Sequence, residues 1–368
     1  MLKWTGRILG GLLGLVVVAG LIAYAMSDNS CGQTAAIAGT RIKAVVQCEY
    51  GPPEILKLED VAKPAPDDDQ VLVKVRAAAV NPAEWHLVRG KPYVVRAVMG
   101  LRKPREIRLG TDYAGVVETV GKNVTQFKPG DAVFGGRTGA FSEYIVARAT
   151  GAVVPKPDNV SFEQAAGVHI AGLTALQGLR DKGQLRAGQK VLINGASGGV
   201  GTYAVQIAKA LGAEVTGVTS ARNIEMVQGI GADRVIDYTR ENFTEGTTRY
   251  DLIYDCVGNH GLLDLRRVLK PGGRAVLIGG GGPDDDPWIG PLSQPIKGLF
   301  LSAVLDEQLS FFIAESSKAD LAILADMMRA GKLTTVIDRT YPLSDTAAAL
   351  GYLDTGRARG KVILTVGE

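Results

Sequence analysis

Cysteine and histidine are scarce in this 368-residue chain: Cys31, Cys48 and Cys256, with His86, His169 and His260. No C-x-x-C occurs. A four-cysteine structural zinc site is excluded by count, and no local spacing supports a mixed cysteine/histidine site, so no metal ligands are expected. Three widely separated cysteines do not make a disulfide scaffold, and all three read as small buried or surface thiols. An excess of one charge is also lacking. With 41 Lys and Arg against 38 Asp and Glu, the net charge is only +3, which leaves no electrostatic case for nucleic acid. There is no short-period repeat and no low-complexity tract.

Glycine, by contrast, is abundant. Its 47 copies are roughly twice the usual share, which implies many tight turns and close backbone approaches. The length allows two domains with ample buried core.

One apolar run stands apart. From Ile8 to Met26 the chain reads ILGGLLGLVVVAGLIAYAM without a charge. As a helix it would be about 28 Å long, close to the hydrocarbon thickness of a bilayer. Lys3 and Arg7 precede it, Asp28 follows, and Trp4 and Tyr24 lie near its ends, where interfacial aromatics are favoured. The expectation is a single-pass N-terminal membrane anchor, with residues 27–40 as a polar linker. A cleaved signal peptide ending near Ala36-Ile37-Ala38 competes, although that pattern lies far from the apolar core. A buried or interfacial helix is the third alternative, and Asp28-Asn29-Ser30 before Cys31 is a poor lipidation signal. The flanking charges place the body outside the cytoplasm, whereas Arg41 and Lys43 pull the other way, so sidedness stays open.

Beyond the linker the pattern changes to short strands. IKAVVQCE (42–49), ILKLEDV (55–61) and QVLVKVRAAAV (70–80) are followed by TDYAGVVETVG (111–121), the turn FKPGDAVFG (127–135) and AFSEYIVA (140–147). These predict an antiparallel, barrel-like module over 41–160. Near residue 160 strands begin to alternate with helices. VLING (191–195), EVTGVTS (214–220), RVIDY (234–238), DLIYDCVG (251–258) and AVLIGG (275–280) are five strands of a parallel, doubly wound sheet over 161–305, with KPGG (270–273) closing a helix. In the tail an amphipathic helix is expected at 318–330. TTVIDRTYPL forms a strand, Ser344 and Asp345 are N-caps, and KVILTV (361–366) rejoins the first module, so that 306–368 returns to it.

The most specific signal is VLINGASGGVGTYAVQIAK (191–209). A glycine loop between strand and helix lets backbone N–H groups approach a pyrophosphate at the positive end of the helix dipole. Ala196, Ser197, Gly198, Gly199, Val200 and Gly201 are its expected contacts. The loop departs from plain G-x-G-x-x-G, but it follows a buried strand and opens an amphipathic helix, which is the confirming context. Val257 and Gly258, running on to His260, and Gly279 with Gly280 end later strands on the same edge; as plain turn residues they would look the same.

This stretch resembles the quinone oxidoreductase (zeta-crystallin-like) branch of the medium-chain dehydrogenase/reductase superfamily. Further matches are VNPAEWHLVRG (80–90), LGTDYAGVV (109–117), AGLTALQ (171–177) and GKVIL (360–364), so the resemblance covers about residues 41–368. It implies an α/β chain with a GroES-like catalytic domain, a Rossmann domain and an active site between them; a homodimer is compatible with it. An acid ending the second strand would select NAD, but this strand ends Thr219-Ser220-Ala221-Arg222. Two hydroxyls and a guanidinium suit the 2′-phosphate of NADPH, and the resemblance adds Tyr238.

At the reacting end, zinc-dependent relatives place a cysteine where this chain has Asn81-Pro82. They place Gly-His-Glu where it has Gly110-Thr111-Asp112. The resemblance thus implies hydride transfer without a metal. It also points to Asn81, whose amide would donate to a substrate carbonyl, and to Thr174 on the nicotinamide side. His86 stands near a family tyrosine and would orient or protonate substrate, though an ordinary core histidine looks the same. Glu84, where many relatives have Asp, holds the local loop. The acidic run Asp284-Asp285-Asp286 is a solvated loop rather than a metal site. The partner is a small electrophile: a quinone, enone or reactive aldehyde. A zinc-free alcohol dehydrogenase and a membrane-tethered NADPH-binding module with little turnover are the alternatives.

Overall fold

The computed structural model describes residues 39–279 and 308–367, together with Gly20, Tyr24, Asp28, Asn29, Cys31, Trp288 and Gly290. The first part of the chain is strand-rich. Strands β1 (Arg41–Val46) and β2 (Lys57–Ala62) pair antiparallel. Strand β3 (Gln70–Val80) keeps eight of its apolar side chains from solvent before Pro82 starts helix α1 (Pro82–Arg89); proline suits that first position because its missing N–H has no partner there anyway. A short helix α2 (Arg96–Met99) follows, then β4 (Asp112–Val120), β5 (Ala132–Gly136), β6 (Tyr144–Arg148) and β7 (Val153–Pro155).

The alternating half begins with helices α3 (Phe162–Ala166) and α4 (His169–Gln177). It continues through β8 (Lys190–Asn194), α5 (Gly199–Ala210), β9 (Glu214–Thr219), α6 (Ile224–Gly229), β10 (Arg234–Asp237), β11 (Tyr250–Asp255), α7 (Leu262–Val268) and β12 (Leu269–Leu277). After the undescribed stretch come β13 (Gln308–Phe311), α8 (Lys318–Arg329), β14 (Ile337–Pro342), α9 (Thr346–Asp354) and β15 (Lys361–Thr365).

Two larger sheets result. One runs β14-β15-β3-β4-β5-β7, with β6 also pairing β3. The other is wholly parallel and runs β10-β9-β8-β11-β12-β13. Numbered from β8, that order is 3-2-1-4-5-6, the doubly wound arrangement that leaves a crevice where the order reverses, between β8 and β11. Val191, Leu192 and Ile193 of β8 are fully buried, as a central parallel strand covered by helices requires. Helix α8 is tied to the end of α4 by a carboxylate: Asp320 accepts from Gln177 Nε2 at 2.9 Å and Arg180 Nη1 at 2.8 Å.

The tail strand KVILTV does rejoin the first module, as β15 pairs antiparallel with β3. Other expectations change. The parallel sheet gains a sixth strand: β13 pairs with β12, so the stretch from 306 onward first extends the nucleotide-type sheet before returning. The KPGG segment does not close a helix. It is looped out inside β12, where the register jumps from Tyr250–Leu269 to Leu252–Arg274.

The cysteine reading is corrected: Cys31 and Cys48 form a disulfide with Cα atoms 5.6 Å apart, and only Cys256 is free. Asn29 Nδ2 also donates to the Cys48 carbonyl (2.8 Å), and Lys103 pairs with Asp28 (2.8 Å), so Asp28, Asn29 and Cys31 are held against the barrel. The membrane location is corrected as well. Among the described residues no helix is long and apolar enough to cross a membrane. The run that raised the expectation, 8–26, lies outside the described residues apart from Gly20 and Tyr24. The acidic run at 284–286 also lies outside them.

The disulfide sets a thiol count. Denatured without reductant, the full chain should show one titratable thiol, and three after reduction. Three thiols before reduction, in protein purified without reductant, would exclude the crosslink.

Candidate active site

Strand register assembles the site. Antiparallel pairing sets Val80 opposite Val362 and Ala79 opposite Asp112. Asn81, which follows β3, is thereby brought beside Lys361, which opens β15, and Asp112, which opens β4. Each of these polar residues is almost wholly buried: Asp112 and Glu84 at 0%, Asn81 at 2%, Lys361 at 3% and His169 at 4% exposure.

Their hydrogen bonds form one network. Asp112 Oδ1 accepts from His169 Nδ1 at 3.1 Å and from the Ile170 N–H at 3.2 Å. Its Oδ2 accepts from Asn81 Nδ2 at 3.1 Å and lies 3.7 Å from Lys361 Nζ. Lys361 Nζ donates to Asn81 Oδ1. His169 Nε2 meets Ser316 Oγ at 2.8 Å. Glu84 Oε2 accepts the Asn81 N–H at 2.8 Å, a capping contact at the start of α1. Glu84 Oε1, by contrast, is buried with no partner.

The electrostatics follow from burial. Removal from water, reinforced by the Asp112 charge, pushes the Glu84 carboxyl up to about 7, against the opposing pull of Lys361. Burial also holds the Lys361 amine below its ordinary value, while Asp112 and Glu84 pull it back up.

Both Asn81 amide hydrogens are in use, one on Asp112 and one, at 3.3 Å, on the Ala79 carbonyl. Donation to a substrate would therefore require the longer Ala79 bond to be given up. Thr174 spends its hydroxyl on the Ile170 carbonyl at 2.7 Å within its own helix. His86 is half-buried, and its Nδ1 bonds the Lys91 carbonyl at 3.0 Å, which requires the proton on Nδ1. Burial lowers its pKa, so the neutral ring presents Nε2 as an acceptor, not a proton donor.

The glycine loop sits at the crevice where the strand order reverses. Its glycines divide the work. Gly195 turns with φ +80°. A methyl on Gly201 would lie 2.1 Å from the Gly195 carbonyl, so this glycine permits the helix to pack on the strand. A methyl on Gly199 would make only ordinary contacts, 3.5 Å from the Gly360 carbonyl oxygen and from Lys361 Cδ, so the fold itself does not require glycine there. Ser197 Oγ receives hydrogen bonds from Thr219 Oγ1 (2.7 Å) and Asn223 Nδ2 (3.1 Å), which ties the loop to the end of β9.

Of the expected phosphate-facing residues, Thr219 and Tyr238 are brought together. Asp237, which ends β10, pairs with Thr219, and the next residue, Tyr238, donates its N–H to the Thr219 carbonyl at 3.1 Å. Tyr238 is 60% exposed, and the exposed Arg222 donates to the Arg357 carbonyl at 2.9 Å.

Across the crevice, Asp255 Oδ1 accepts from Asn194 Nδ2 (2.8 Å) and from the N–H groups of Val257 and Gly258 (both 2.9 Å). Gly279 is a packing glycine, because a methyl there would lie 2.1 Å from the Cys256 carbonyl. Gly280 lies outside the described residues.

Residues to which composition gave no functional weight are Lys361 and His169 in the buried network, and Asn194, Asp255 and Asn223 along the crevice. Two signals were available. Lys361 opens an otherwise apolar strand, and His169 opens a mostly apolar helix; a buried charge or imidazole at such a place needs a partner.

Comparison with known proteins agrees with this geometry. Residues 67–158 match the alcohol dehydrogenase GroES-like domain, and 230–364 match the zinc-binding dehydrogenase family. The human quinone oxidoreductase is 35% identical over 335 residues, covering 88% of this chain and 97% of the relative. The chain belongs to the quinone oxidoreductase family of medium-chain dehydrogenases/reductases. It is also similar to the chloroplastic NADPH-dependent alkenal/one oxidoreductase of Arabidopsis thaliana, with 32% identity, 88% of this chain and 79% of the relative covered. Among solved structures, the quinone oxidoreductase from Coxiella burnetii superposes with a TM-score of 0.76 at 29% identity, covering 89% of this chain and all of the other.

Two outcomes test the site. Gly201→Ala should lower thermal stability by several degrees, whereas Gly199→Ala should keep stability and weaken dinucleotide binding about tenfold or more. Equal effects from the two would contradict the division of labour. Glu84 binds its proton more tightly folded than unfolded, so its contribution to stability is complete below the unfolded value near 4.5 and is lost as pH rises through about 7. Glu84→Gln keeps the capping oxygen. Its unfolding free energy should therefore fall less than the wild type's between pH 5 and 7.5, by on the order of 1–3 kcal/mol. Parallel curves would mean Glu84 is ionised throughout.

Proposed function

We propose that this protein transfers a hydride from NADPH to a small electrophile, a quinone, enone or reactive carbonyl, without zinc. The observation that carries this reading is the glycine loop at the sheet's crevice, joined through the Gly360 N–H to Ser197 carbonyl bond (2.8 Å) to the buried Asn81–Asp112–Lys361 cluster. A dinucleotide bound along the loop would extend toward that cluster. The family relation and the NADPH dependence of the alkenal/one oxidoreductase support the cofactor and the substrate class.

Zinc does not fit the donor set present. Both Asp112 oxygens are engaged, both His169 nitrogens are hydrogen-bonded, and a lysine amine stands among them 3.7 Å from the carboxylate. A metal cation there would face that amine at close range. No step is therefore assigned to a metal.

NADPH does fit. The N–H groups that open α5, at a turn where Gly198 and Gly199 add no side chain, would hold the pyrophosphate. Ser220, Arg222 and Tyr238, around Thr219, would hold the 2′-phosphate, and Asn194 and Asp255 brace the adjoining strand ends. Bound NADPH supplies a hydride, two electrons with a proton, to the electrophilic atom. The protein's part is positioning: Asn81 is oriented at the reacting end, and Thr174, on α4, would stand on the nicotinamide side. The anionic product, an enolate or hydroquinone anion, takes its proton from water, since the neutral His86 ring offers only Nε2 as acceptor. The fold divides into a catalytic unit of 41–160 completed by the tail strands, and a dinucleotide unit from 161 to β13.

NADPH oxidation by the full chain against quinones, enones and aldehydes tests the reaction; binding with no turnover on any of them would favour a binding module. Arg222→Ala should weaken NADPH about tenfold or more while leaving NADH nearly unchanged, because only the former has a 2′-phosphate for a charge-assisted bond. Equal losses, measured by titration of both dinucleotides, would remove Arg222 from the phosphate site.

A further inference from the structure

We propose that Lys361 is a positioning residue: it couples the seating of the cofactor loop to Asn81 and fixes the direction in which the Asn81 amide points. The proposal rests on the hydride-transfer reading above and adds to it the residue that links the two halves of the site.

Lys361 has contacts at both ends. The residue before it, Gly360, donates its N–H to the Ser197 carbonyl in the glycine loop at 2.8 Å. The lysine stem runs past Gly199, where a methyl would lie 3.5 Å from Cδ. Its amine then reaches Asn81 Oδ1 on the far side. One side chain therefore passes beside the first residue of the cofactor helix and bonds the amide at the reacting end.

An asparagine amide has two orientations of similar shape, and its neighbours decide between them. Lysine only donates and an ionised carboxylate only accepts. With Lys361 on Oδ1 and Asp112 on Nδ2, the reversed amide would set N–H against the amine and oxygen against the carboxylate. The orientation is thus fixed by two charged groups, and the second amide hydrogen is left on the long Ala79 contact, which is the one available for a substrate oxygen. A charge at each end also polarises the amide, making it a stronger donor.

Plain neutralisation of Asp112 is the competing account. It explains less of the geometry. Asp112 already receives three hydrogen bonds, from His169, Ile170 and Asn81, while the Lys361 amine stands 3.7 Å away and makes its hydrogen bond to Asn81.

The test uses full-length Lys361→Met and Lys361→Arg, measuring NADPH affinity, emission of bound NADPH and the single-turnover hydride rate with the electrophile that wild type reduces fastest. The expected result for Lys361→Met is NADPH affinity within about fivefold of wild type, altered emission and a hydride rate down about 100-fold, the scale of a misplaced reacting group. Lys361→Arg should recover at least about tenfold of that loss, since it restores a donor and a charge. A Lys361→Met hydride rate within about threefold of wild type overturns the proposal, and so does a loss confined to NADPH affinity.

Should Lys361→Met fail to fold, the double variant Lys361→Met/Asp112→Asn removes the uncompensated charge. A low hydride rate with NADPH still bound supports positioning, and recovery to the wild-type rate shows that neutralisation was the whole role. If wild type itself reduces no electrophile, the hydride-transfer reading fails separately, and emission decides on Lys361. Altered emission in the Met variant but not the Arg variant supports the coupling; unchanged emission in both overturns it.

Discussion

The site depends on the antiparallel register between β3 and β15. Val80 opposite Val362 places Asn81 and Lys361 side by side, although 280 residues separate them in sequence. Side chains alternate along a strand, so a slip of one residue would turn Lys361 to the opposite face and leave Asp112 without its amine. The apolar residues Val362, Ile363 and Leu364, all fully buried, make such a slip costly. Ordinary hydrophobic burial thus holds an expensive polar arrangement in place.

That arrangement is expensive because it removes ionisable groups from water. Breaking a buried ion pair costs about 3–5 kcal/mol, chiefly because the remaining charge is left uncompensated. The network limits this cost by giving Asp112 four polar neighbours and by letting the Glu84 proton stay on near neutrality. A half-satisfied network of this kind would be worse than an apolar core. The unpartnered Glu84 oxygen is the place where satisfaction is incomplete, and it is also where the ordinary acidity of a carboxyl is most altered.

Much of the fold was legible because periodicity reports burial. QVLVKVRAAAV and VLING read as strands and are strands, and the glycine loop lies at the crevice its context implied. Three things were not legible. The Cys31–Cys48 crosslink depends on Cα atoms 5.6 Å apart, a distance no spacing in sequence reveals. Strand β13 is four residues long with only partial burial, too short and mixed for an alternation signal. The roles of Lys361 and His169 follow from register between remote strands and helices, whereas local sequence shows only a polar residue in an apolar run.

The glycine loop shows why spacing alone is a weak guide. In the usual G-x-G-x-x-G loop the first glycine turns, the second admits the pyrophosphate and the third lets helix and strand pack. Here Gly195 has the positive φ, Gly198 and Gly199 open helix α5, and Gly201 lies against the Gly195 carbonyl. The turning and packing duties are both visible, with Ala196 and Ser197 set between Gly195 and Gly198. The added residue is put to use: Ser197 is where Thr219, Asn223 and Gly360 converge, by its hydroxyl for the first two and its carbonyl for the third. A minimal loop would have one fewer position for such contacts. The longer loop is therefore the joint through which the dinucleotide sheet reaches the tail of the chain, and through Lys361 the buried amide beyond it.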